Sequence, residues 1–281
     1  MSDHSDNTQP PVVLTIAGTD PSGGAGINVD LQVCRDFGCH GVSAITAVVW
    51  QNTQGVDGWR ALKPGELKAQ LDAVIDDFDI DAVKIGMIPT GGLVDAVRRT
   101  LRDFDEAPPV VLDPVMASGD GTRSMMVSTG RRSLDDLCGV VDLVTPNGPE
   151  ARTLIGDGAE SDESGDNNEP ERCVRRLVER GWSRVLLKGG HLAQLGSAGE
   201  VVDWYGDADG VTALPGLESV DADIRGTGCQ LSTAIACGRA HRQTWRRAIA
   251  DGRRYLNAML VNSAWSIGRG RPVVVRLESR S

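Results

Sequence analysis

The sequence predicts an α/β fold, a three-layer α/β/α sandwich around a mostly parallel central sheet. Short apolar segments alternate with longer helix-like segments along most of the chain. The apolar segments are continuous rather than alternately polar, which is typical of parallel strands covered on both faces. Strands separated by helices of roughly 10–15 residues require right-handed crossovers, so consecutive strands join one sheet with helices on both sides.

The first half of the chain alternates clearly between the two patterns. Residues 12–17 are an apolar run followed by a glycine, which predicts a buried strand, and residues 25–37 predict the helix after it. The other strands predicted in this half are 42–50, 82–85 and 110–112, and the other helices are 66–78 and 93–104.

The second half continues the alternation with shorter strands. We predict a helix near 133–138, a strand at 141–144, a helix at 172–179 and a strand at 184–187. Residues 201–205 and 211–214 flank a Gly-Asp-Ala-Asp-Gly turn, which predicts a hairpin. The last predicted elements are an alanine-rich helix at 227–240, a helix at 245–264 and a short strand at 273–275.

Composition limits the class of protein. The chain has 281 residues and a formal net charge of −10, and this acidity argues against a nucleic-acid partner. No apolar run approaches the ~20 residues of a membrane span, and the polar N-terminus lacks the order of a signal peptide, so we expect a cytoplasmic protein. We predict a disordered tail at 1–11 and a single domain at 12–281. Residues 156–169, with six acidic residues and no basic one, predict a mobile surface loop within it.

The six cysteines predict reduced thiols. They occupy positions 34, 39, 138, 173, 229 and 237, and no two form a Cys-x-x-Cys pair. Cys34 and Cys39, with His40 beside them, form the only close pair. Their spacing across Gly38 suits neither a zinc knuckle nor one face of a helix, so we predict no metal site there.

The run Gly226-Thr227-Gly228-Cys229 carries the strongest chemical signal. A glycine-rich turn that opens into an apolar helix exposes backbone amides at the positive end of the helix dipole, which favours binding of a phosphate or a developing negative charge. Cys229 falls in the first helical turn, where this field favours the thiolate. The alternative is an ordinary glycine linker between two helices.

The other informative segments follow predicted strands, at the edge where α/β sheets bind ligands. They are 18–26, 51–55, 86–87, 113–121, 145–150 and 188–191. The glycine-rich loop that begins at Gly18 lacks the P-loop lysine, so it is either a close-approach surface for a small ligand or a tight turn. Asp30 is either a pocket acceptor or a solvated helix residue. Gln51 offers a donor and an acceptor to a heteroaromatic ring, unless it points into water.

Four polar residues suggest a phosphate and metal side of this edge. Asp113 follows a strand, as carboxylates that hold Mg²⁺ commonly do. Asn147 and Glu150 follow another strand, where Asn-x-x-Glu is also an ordinary helix start. Lys188 ends a strand before two glycines and either binds nucleotide phosphates or lies on the surface. For His191 we favour a structural or rim role.

Together and in this order, the segments resemble the ribokinase-like superfamily, in particular the hydroxymethylpyrimidine/phosphomethylpyrimidine kinases of thiamine biosynthesis. The matching segments are TIAGTDPSGGAGI at 15–27, QNTQGV at 51–56, KIGM at 84–87, DPVM at 113–116, TPN at 145–147, KGGH at 188–191 and GTGC at 226–229. The resemblance spans about residues 12 to 240.

The resemblance implies transfer of the γ-phosphoryl group of ATP, with Mg²⁺, to 4-amino-5-hydroxymethyl-2-methylpyrimidine and then to its monophosphate, by a protein that is a homodimer. It implies pyrimidine contacts and catalytic groups at the matching positions. The pyrimidine side is Gly18, Asp30, Val49, Gln51 and Met87, and the catalytic run is Gly226, Thr227, Gly228 and Cys229. Lys188 and Asn147 match the nucleotide side, and Glu150 and Asp113 match the metal side.

Three segments depart from the family pattern. Residues 117–120 are Ala-Ser-Gly-Asp without the usual lysine, residues 223–225 are Asp-Ile-Arg in place of Asn-Thr-His, and Gln230 stands where threonine is usual. Arg225 either contacts a phosphate or pairs with surface acids. Two alternative functions stay open: pyridoxal kinase, a relative that shares the Gly-Thr-Gly-Cys run, and a non-catalytic ligand-binding homologue.

Overall fold

The computed structural model describes residues 9–118, 121, 123–127, 134–156, 169–189, 200–218 and 223–276. The predicted tail and acidic loop fall largely outside these residues, and His191 falls wholly outside them. The strands are β1 Val12–Gly18, β2 His40–Gln51, β3 Val56–Ala61, β4 Ala82–Ile85, β5 Val110–Leu112, β6 Leu143–Val144, β7 Val185–Leu187, β8 Glu200–Val201, β9 Trp204–Asp207, β10 Gly210–Ala213, β11 Leu217–Glu218, β12 Ala264–Trp265 and β13 Val273–Val274.

Most helices match the predicted segments closely, whereas the helix at Gly148–Ile155 was foreseen only in the alternative that Asn-x-x-Glu is a helix start. The helices are α1 Gly26–Asp36, α2 Pro64–Ile75, α3 Gly91–Arg102, α4 Gly148–Ile155, α5 Glu169–Glu179, α6 Thr227–Ala240 and α7 Trp245–Asn262. The segment predicted as a helix near 133–138 is a short 3₁₀ helix, Leu134–Leu137, in its described part. Within the parts of the chain that the structure describes, no helix is long and apolar enough to cross a bilayer.

One nine-stranded sheet organises the molecule. Its order is β10-β9-β7-β6-β5-β4-β1-β2-β3. The pairs from β2 through β7 are parallel, whereas β3, β9 and β10 add antiparallel strands at the two edges. The predicted mostly parallel sheet and the predicted hairpin, β9–β10, are therefore confirmed.

Alternate strand residues enter cores on opposite faces of the sheet. Leu14 of β1 packs in the core with residues of α2, α3, α4 and α5. Its neighbour Val13 packs in a second core with residues of α1, α6 and α7. Because side chains alternate across a strand, continuous apolar strands supply both cores, and the predicted three layers follow.

Several strand predictions differ from the structure, since β3, β11 and β12 were not predicted and the predicted strand 201–205 is divided between β8 and β9. β3 was not predicted, because its sequence VDGWRA is polar and half-exposed and lacks the apolar run of a central strand. Such a sequence suits an edge strand, which needs only one neighbour. The final predicted strand is β13, which pairs with β12 in a separate two-stranded sheet.

Candidate active site

The carboxyl ends of β1, β2, β4, β5, β6 and β7 meet at one edge of the sheet, as expected for a parallel α/β fold. The start of α6 lies at this edge. In α6 the first intrahelical hydrogen bond runs from the amide of Gln230 to the carbonyl of Gly226, at 3.0 Å. The amides of residues 227–229 precede it, so they form the donor cluster that the sequence predicts.

Gly226 is the N-cap residue of α6 and has a left-handed conformation, with φ 72° and ψ 13°. A β-carbon at this position would overlap the carbonyl oxygen of Gly24. Only glycine satisfies both the backbone angle and this close approach. The glycine-rich loop after β1 therefore packs directly against the start of α6.

Cys229 lies beside charged groups. Its side chain is partly exposed. Desolvation raises the pKa of its thiol to about 11, although the nearby Lys84 ammonium and the amide of Gly26 act in the opposite direction. The sequence-based expectation of a thiolate favoured by the helix dipole is therefore wrong, because burial outweighs that field.

Lys84 and Asp30 form an ion pair beneath this site. The Lys84 Nζ atom lies 2.7 Å from Asp30 Oδ2, and both side chains are fully buried. Burial alone lowers the pKa of Lys84, but the negative charges of Asp30 and Asp113 outweigh it and raise that pKa above its ordinary value. Lys84 is therefore a cation in the interior.

Asp30 is fully buried, so it is not the solvated residue of the alternative interpretation. Its Oδ2 accepts hydrogen bonds from Thr15 at 2.5 Å and from Lys84, and its Oδ1 accepts one from Thr233 at 2.9 Å. A fully buried carboxylate requires such partners. Asp30 thus holds Lys84 in place, and its predicted contact with a ligand stays a prediction.

The predicted pyrimidine residues Gly18, Val49 and Met87 converge. A β-carbon on Gly18 would lie 3.0 Å from the Met87 sulfur and 3.3 Å from a Val49 methyl carbon. Val49 and Met87 are buried in a small apolar cluster with Ala47 and Met125. These residues form an apolar wall against which a flat ring can pack.

Gln51 lies at the end of β2 and binds an arginine. Its Oε1 accepts a hydrogen bond from Arg225 Nη2 at 2.6 Å, and its Nε2 donates to the carbonyl of Thr19 at 3.0 Å. Arg225 also lies 3.5 Å from the buried carboxylate of Asp20. Arg225 therefore connects the loop after β1 with the end of β2, and it does not pair with surface acids.

The nucleotide and metal residues form a third group. Lys188 Nζ lies 2.8 Å from Asp113 Oδ1 and 3.8 Å from Glu150 Oε2. A β-carbon on Gly228 would lie 3.1 Å from both Lys188 Nζ and Asp113 Oδ2, so the group adjoins the amides of α6.

Asn147 caps α4, as the structural alternative predicted. Its side-chain oxygen accepts from the amide of Glu150 at 2.9 Å, and Glu150 Oε2 accepts from the amide of Asn147 at 2.8 Å. Burial raises the pKa of Glu150 to about 7, against the lowering effect of Lys188. The capping box therefore holds Glu150 beside Lys188 rather than in solvent.

The residues present fit a magnesium ion bound mainly through phosphate and water. No group of three or more His, Cys, Asp or Glu side chains in the described ranges is arranged to hold a metal ion alone. Mg²⁺ commonly uses only one or two protein carboxylates together with substrate phosphates. Asp113 and Glu150 provide two such carboxylates beside the α6 amides.

Lys84, Asp20 and Arg225 were not among the predicted site residues. The signal for Lys84 was present, because a lysine between apolar residues of a short strand has to be buried and paired. No comparable signal marks the contact between Arg225 and Gln51, which are 174 residues apart in sequence.

Comparisons with known proteins identify the family of the chain. A family model described as phosphomethylpyrimidine kinase matches residues 20–274. The hydroxymethylpyrimidine/phosphomethylpyrimidine kinase of Escherichia coli (strain K12) is 36% identical over 258 residues, which are 92% of this chain and 94% of that protein.

Solved structures agree as well. The crystal structure of phosphomethylpyrimidine kinase from Clostridium difficile 630 has a TM-score of 0.72 and 31% identity, and the match covers 88% of this chain and 97% of that one. An ADP complex of Bacillus subtilis pyridoxal kinase has a TM-score of 0.82 and 25% identity, over 95% of this chain and 97% of that one. These matches confirm the ribokinase-like fold and the family that the motifs indicated. The chain belongs to the phosphomethylpyrimidine kinase family.

Proposed function

We propose that this kinase transfers the γ-phosphoryl group of ATP to the hydroxymethyl group of 4-amino-5-hydroxymethyl-2-methylpyrimidine, and then a second phosphoryl group to the monophosphate, in thiamine diphosphate biosynthesis. One observation carries the proposal. The apolar wall of Gly18, Val49 and Met87, the thiol of Cys229 and the amides that begin α6 lie at the same edge of the sheet. A ring, its alcohol and a migrating phosphoryl group would meet these three features in turn.

In this mechanism the pyrimidine ring packs on the apolar wall. The backbone amides of residues 227–229 donate hydrogen bonds to the phosphoryl group as charge develops on its oxygens. Lys188 lies beside the same amides. It would pair with the phosphates of ATP when the bound nucleotide displaces part of its contact with Asp113. Because phosphoryl transfer depends mainly on alignment and charge stabilisation, these groups supply most of the catalysis.

Asp113 and Glu150 would hold the magnesium ion of the Mg–ATP complex, which neutralises phosphate charge when bound. Both carboxyl groups already lie near Lys188, so two acidic groups and one cation adjoin the position of the transferred phosphate. Asn147 contributes by capping α4 and holding Glu150 through the reciprocal hydrogen bonds.

Cys229 is proposed to orient the substrate alcohol rather than to act as a strong base. With a pKa near 11, its thiol is protonated at neutral pH. A loose phosphoryl-transfer transition state needs little deprotonation of the attacking oxygen, so a positioning thiol is sufficient. Lys84 adds a fixed positive charge near the sulfur, where negative charge moves during transfer.

The decisive experiment is a substrate comparison. The purified chain is incubated with Mg–ATP and either the aminopyrimidine alcohol or pyridoxal, and mass spectrometry follows mono- and diphosphate products alongside steady-state kinetics. We expect a higher kcat/KM for the pyrimidine, with both products formed. A higher kcat/KM for pyridoxal would favour the relative with the similar fold, and absence of ATP-dependent turnover would favour a binding protein.

A matched pair of cysteine variants tests the role of the thiol. Cys229→Ala is expected to lower kcat far more than it raises KM for the pyrimidine, because an orienting contact acts mainly in the transition state. Cys138→Ala, a partly buried cysteine next to the 3₁₀ helix, is the control and should retain wild-type kinetics. Unchanged kcat in Cys229→Ala would remove the thiol from catalysis.

We also propose a cytoplasmic homodimer. All six cysteines are free, which suits a reducing compartment such as the cytoplasm.

The dimer would use an exposed apolar strip on β2. Val48 and Trp50 are 40% and 51% exposed and flank the buried Val49, so they suit contact with a second copy of the chain. Light scattering should give a dimer mass that Trp50→Glu lowers; a wild-type monomer at micromolar concentration would contradict the dimer.

A further inference from the structure

Three cysteines and a histidine meet on the side of α6 remote from the catalytic run. Cys34 lies on α1, Cys39 lies just before β2, and Cys237 lies near the end of α6. The Cys237 and Cys34 sulfurs are 3.9 Å apart, and the Cys39 sulfur lies 3.5 Å from Nε2 of His241. We call Cys34, Cys39, Cys237 and His241 the thiol cluster.

The thiol cluster is not arranged as a metal site. His241 Nε2 lies 2.8 Å from the carbonyl oxygen of Phe37, so this nitrogen carries a proton and donates it to the carbonyl. A donating nitrogen has no lone pair for a metal ion. Within the described part of the chain, no group of three or more His, Cys, Asp or Glu side chains is arranged to hold a metal ion.

The thiols of the cluster differ in reactivity. Hydrogen bonding from Cys237 lowers the pKa of Cys39 against the opposing effect of burial, and His241 lowers it further. The pKa of Cys237 is raised well above its ordinary value, because its hydrogen bonds with Cys34 and Cys39, together with burial, favour the protonated thiol. The thiolate is the reactive form, so the lowered pKa and the contact with His241 mark Cys39 as the nucleophile of the cluster.

The solvent exposure of the three thiols also favours Cys39. Cys39 keeps 7% of its surface exposed, beside the exposed ring of His241, whereas Cys34 and Cys237 are fully buried. A small oxidant such as a hydroperoxide reaches Cys39 first. A reactive thiol next to a second cysteine is the arrangement found at reversibly oxidised sites.

We propose that Cys39 is a site of oxidation by hydroperoxides and that Cys237 is the thiol that resolves the oxidised form. In the first step the Cys39 sulfur attacks the terminal peroxide oxygen, the O–O bond breaks, and the leaving hydroxide takes a proton to form water. Cys39 then carries a sulfenic acid. In the second step the Cys237 sulfur attacks the Cys39 sulfur, and the released hydroxide takes the Cys237 proton. Two thiols are oxidised to one disulfide, and one hydrogen peroxide is reduced to two waters.

The product would join the end of α6 to the start of β2. These elements also carry site residues at their other ends, since α6 begins at Thr227 and β2 ends at Gln51. The disulfide would thus link α6 and β2, two elements that carry residues of the candidate active site, at a distance from the catalytic run. It does not depend on the substrate proposed above.

The test uses the full-length protein and hydrogen peroxide. Reduced protein is treated with equimolar peroxide, remaining thiols are blocked with iodoacetamide, and peptides are mapped by mass spectrometry. We expect a Cys39–Cys237 disulfide that reductant removes. In Cys237→Ser the sulfenic acid should persist at Cys39 and react with dimedone, whereas Cys173→Ser, a buried cysteine of α5, should form the disulfide normally.

A measurement on the unmodified chain covers the case in which a variant does not fold. Isotope-coded iodoacetamide labelling at pH 7 should modify Cys39 about tenfold or more faster than Cys138, whose pKa burial raises to about 11. Slower labelling of Cys39 than of Cys138 would overturn the proposal. So would peroxide treatment that oxidises Cys229, Cys138 or Cys173 while Cys39 stays reduced, or a disulfide that forms equally in Cys39→Ser.

Discussion

Replacing Lys84 with methionine tests the buried ion pair beneath the active site. The substitution keeps the length of the side chain but removes its charge, and it leaves the Asp30 carboxylate in the interior with hydroxyl donors only. Those donors are Thr15 and Thr233. Two hydrogen bonds from neutral groups do not compensate a buried negative charge, so the folded state should lose stability.

The magnitude follows from the burial. Both partners are fully buried and 2.7 Å apart, so solvent does not screen the loss. Removing one partner of such a pair costs about 3–5 kcal/mol of unfolding free energy. For a chain of this size, that loss lowers the melting temperature by roughly 10 °C. Replacing Asp30 with asparagine in the same protein removes the uncompensated charge and should recover roughly 2 kcal/mol.

The assay combines urea unfolding and kinetics on four proteins: wild type, Lys84→Met, Asp30→Asn and the double variant. If Lys84 also acts on the chemistry through its charge near Cys229, kcat of the double variant stays low although its stability recovers. Recovery of kcat together with stability would confine Lys84 to a folding role. A Lys84→Met loss below about 0.5 kcal/mol, or a double variant equal to the sum of both single losses, would refute the ion-pair argument.

Three further predictions concern the same edge of the sheet. Gly226→Ala should lower kcat/KM by about a hundredfold, because the added carbon displaces Gly24 and moves the α6 amides. The control is Gly65→Ala, which should keep wild-type kcat/KM because a β-carbon there meets no neighbour. Equal activity of the two variants would contradict the prediction. In the ligand-free protein, iodoacetamide should react slowly with Cys229 at pH 7 and progressively faster as pH rises toward about 11, and a rate already maximal at pH 7 would contradict the raised pKa. Lys188→Met should raise KM for ATP about tenfold or more with little change in KM for the pyrimidine, and an unchanged KM for ATP would exclude a nucleotide role.

The sequence predicted the fold well because apolar strands and helix starts are local signals. The helix predicted at 227–240 has the bounds of α6, since a glycine turn, an alanine-rich segment and a following polar turn mark both ends. β3 was missed because an edge strand with one exposed face carries no comparable apolar run.

The candidate site was predictable as a neighbourhood but not as a set of contacts. Strand ends of a parallel sheet meet at one edge, so the meeting of Gly18, Val49 and Met87 follows from topology. Whether a polar residue there faces the cleft or the core depends on its tertiary partners. Asp30 is fully buried and pairs with Lys84, 54 residues away, and no local pattern around Asp30 records that partner.

The contact between Gly24 and Gly226 has a consequence for protein engineering. A carbonyl of the loop after β1 fills the space that a side chain at the start of α6 would need. Transplanting that loop alone from another kinase, in order to redirect substrate choice, would disturb the phosphoryl-binding turn even if the new loop were well ordered. Functional chimaeras of this scaffold should therefore exchange residues 18–26 and 226–229 as a matched set.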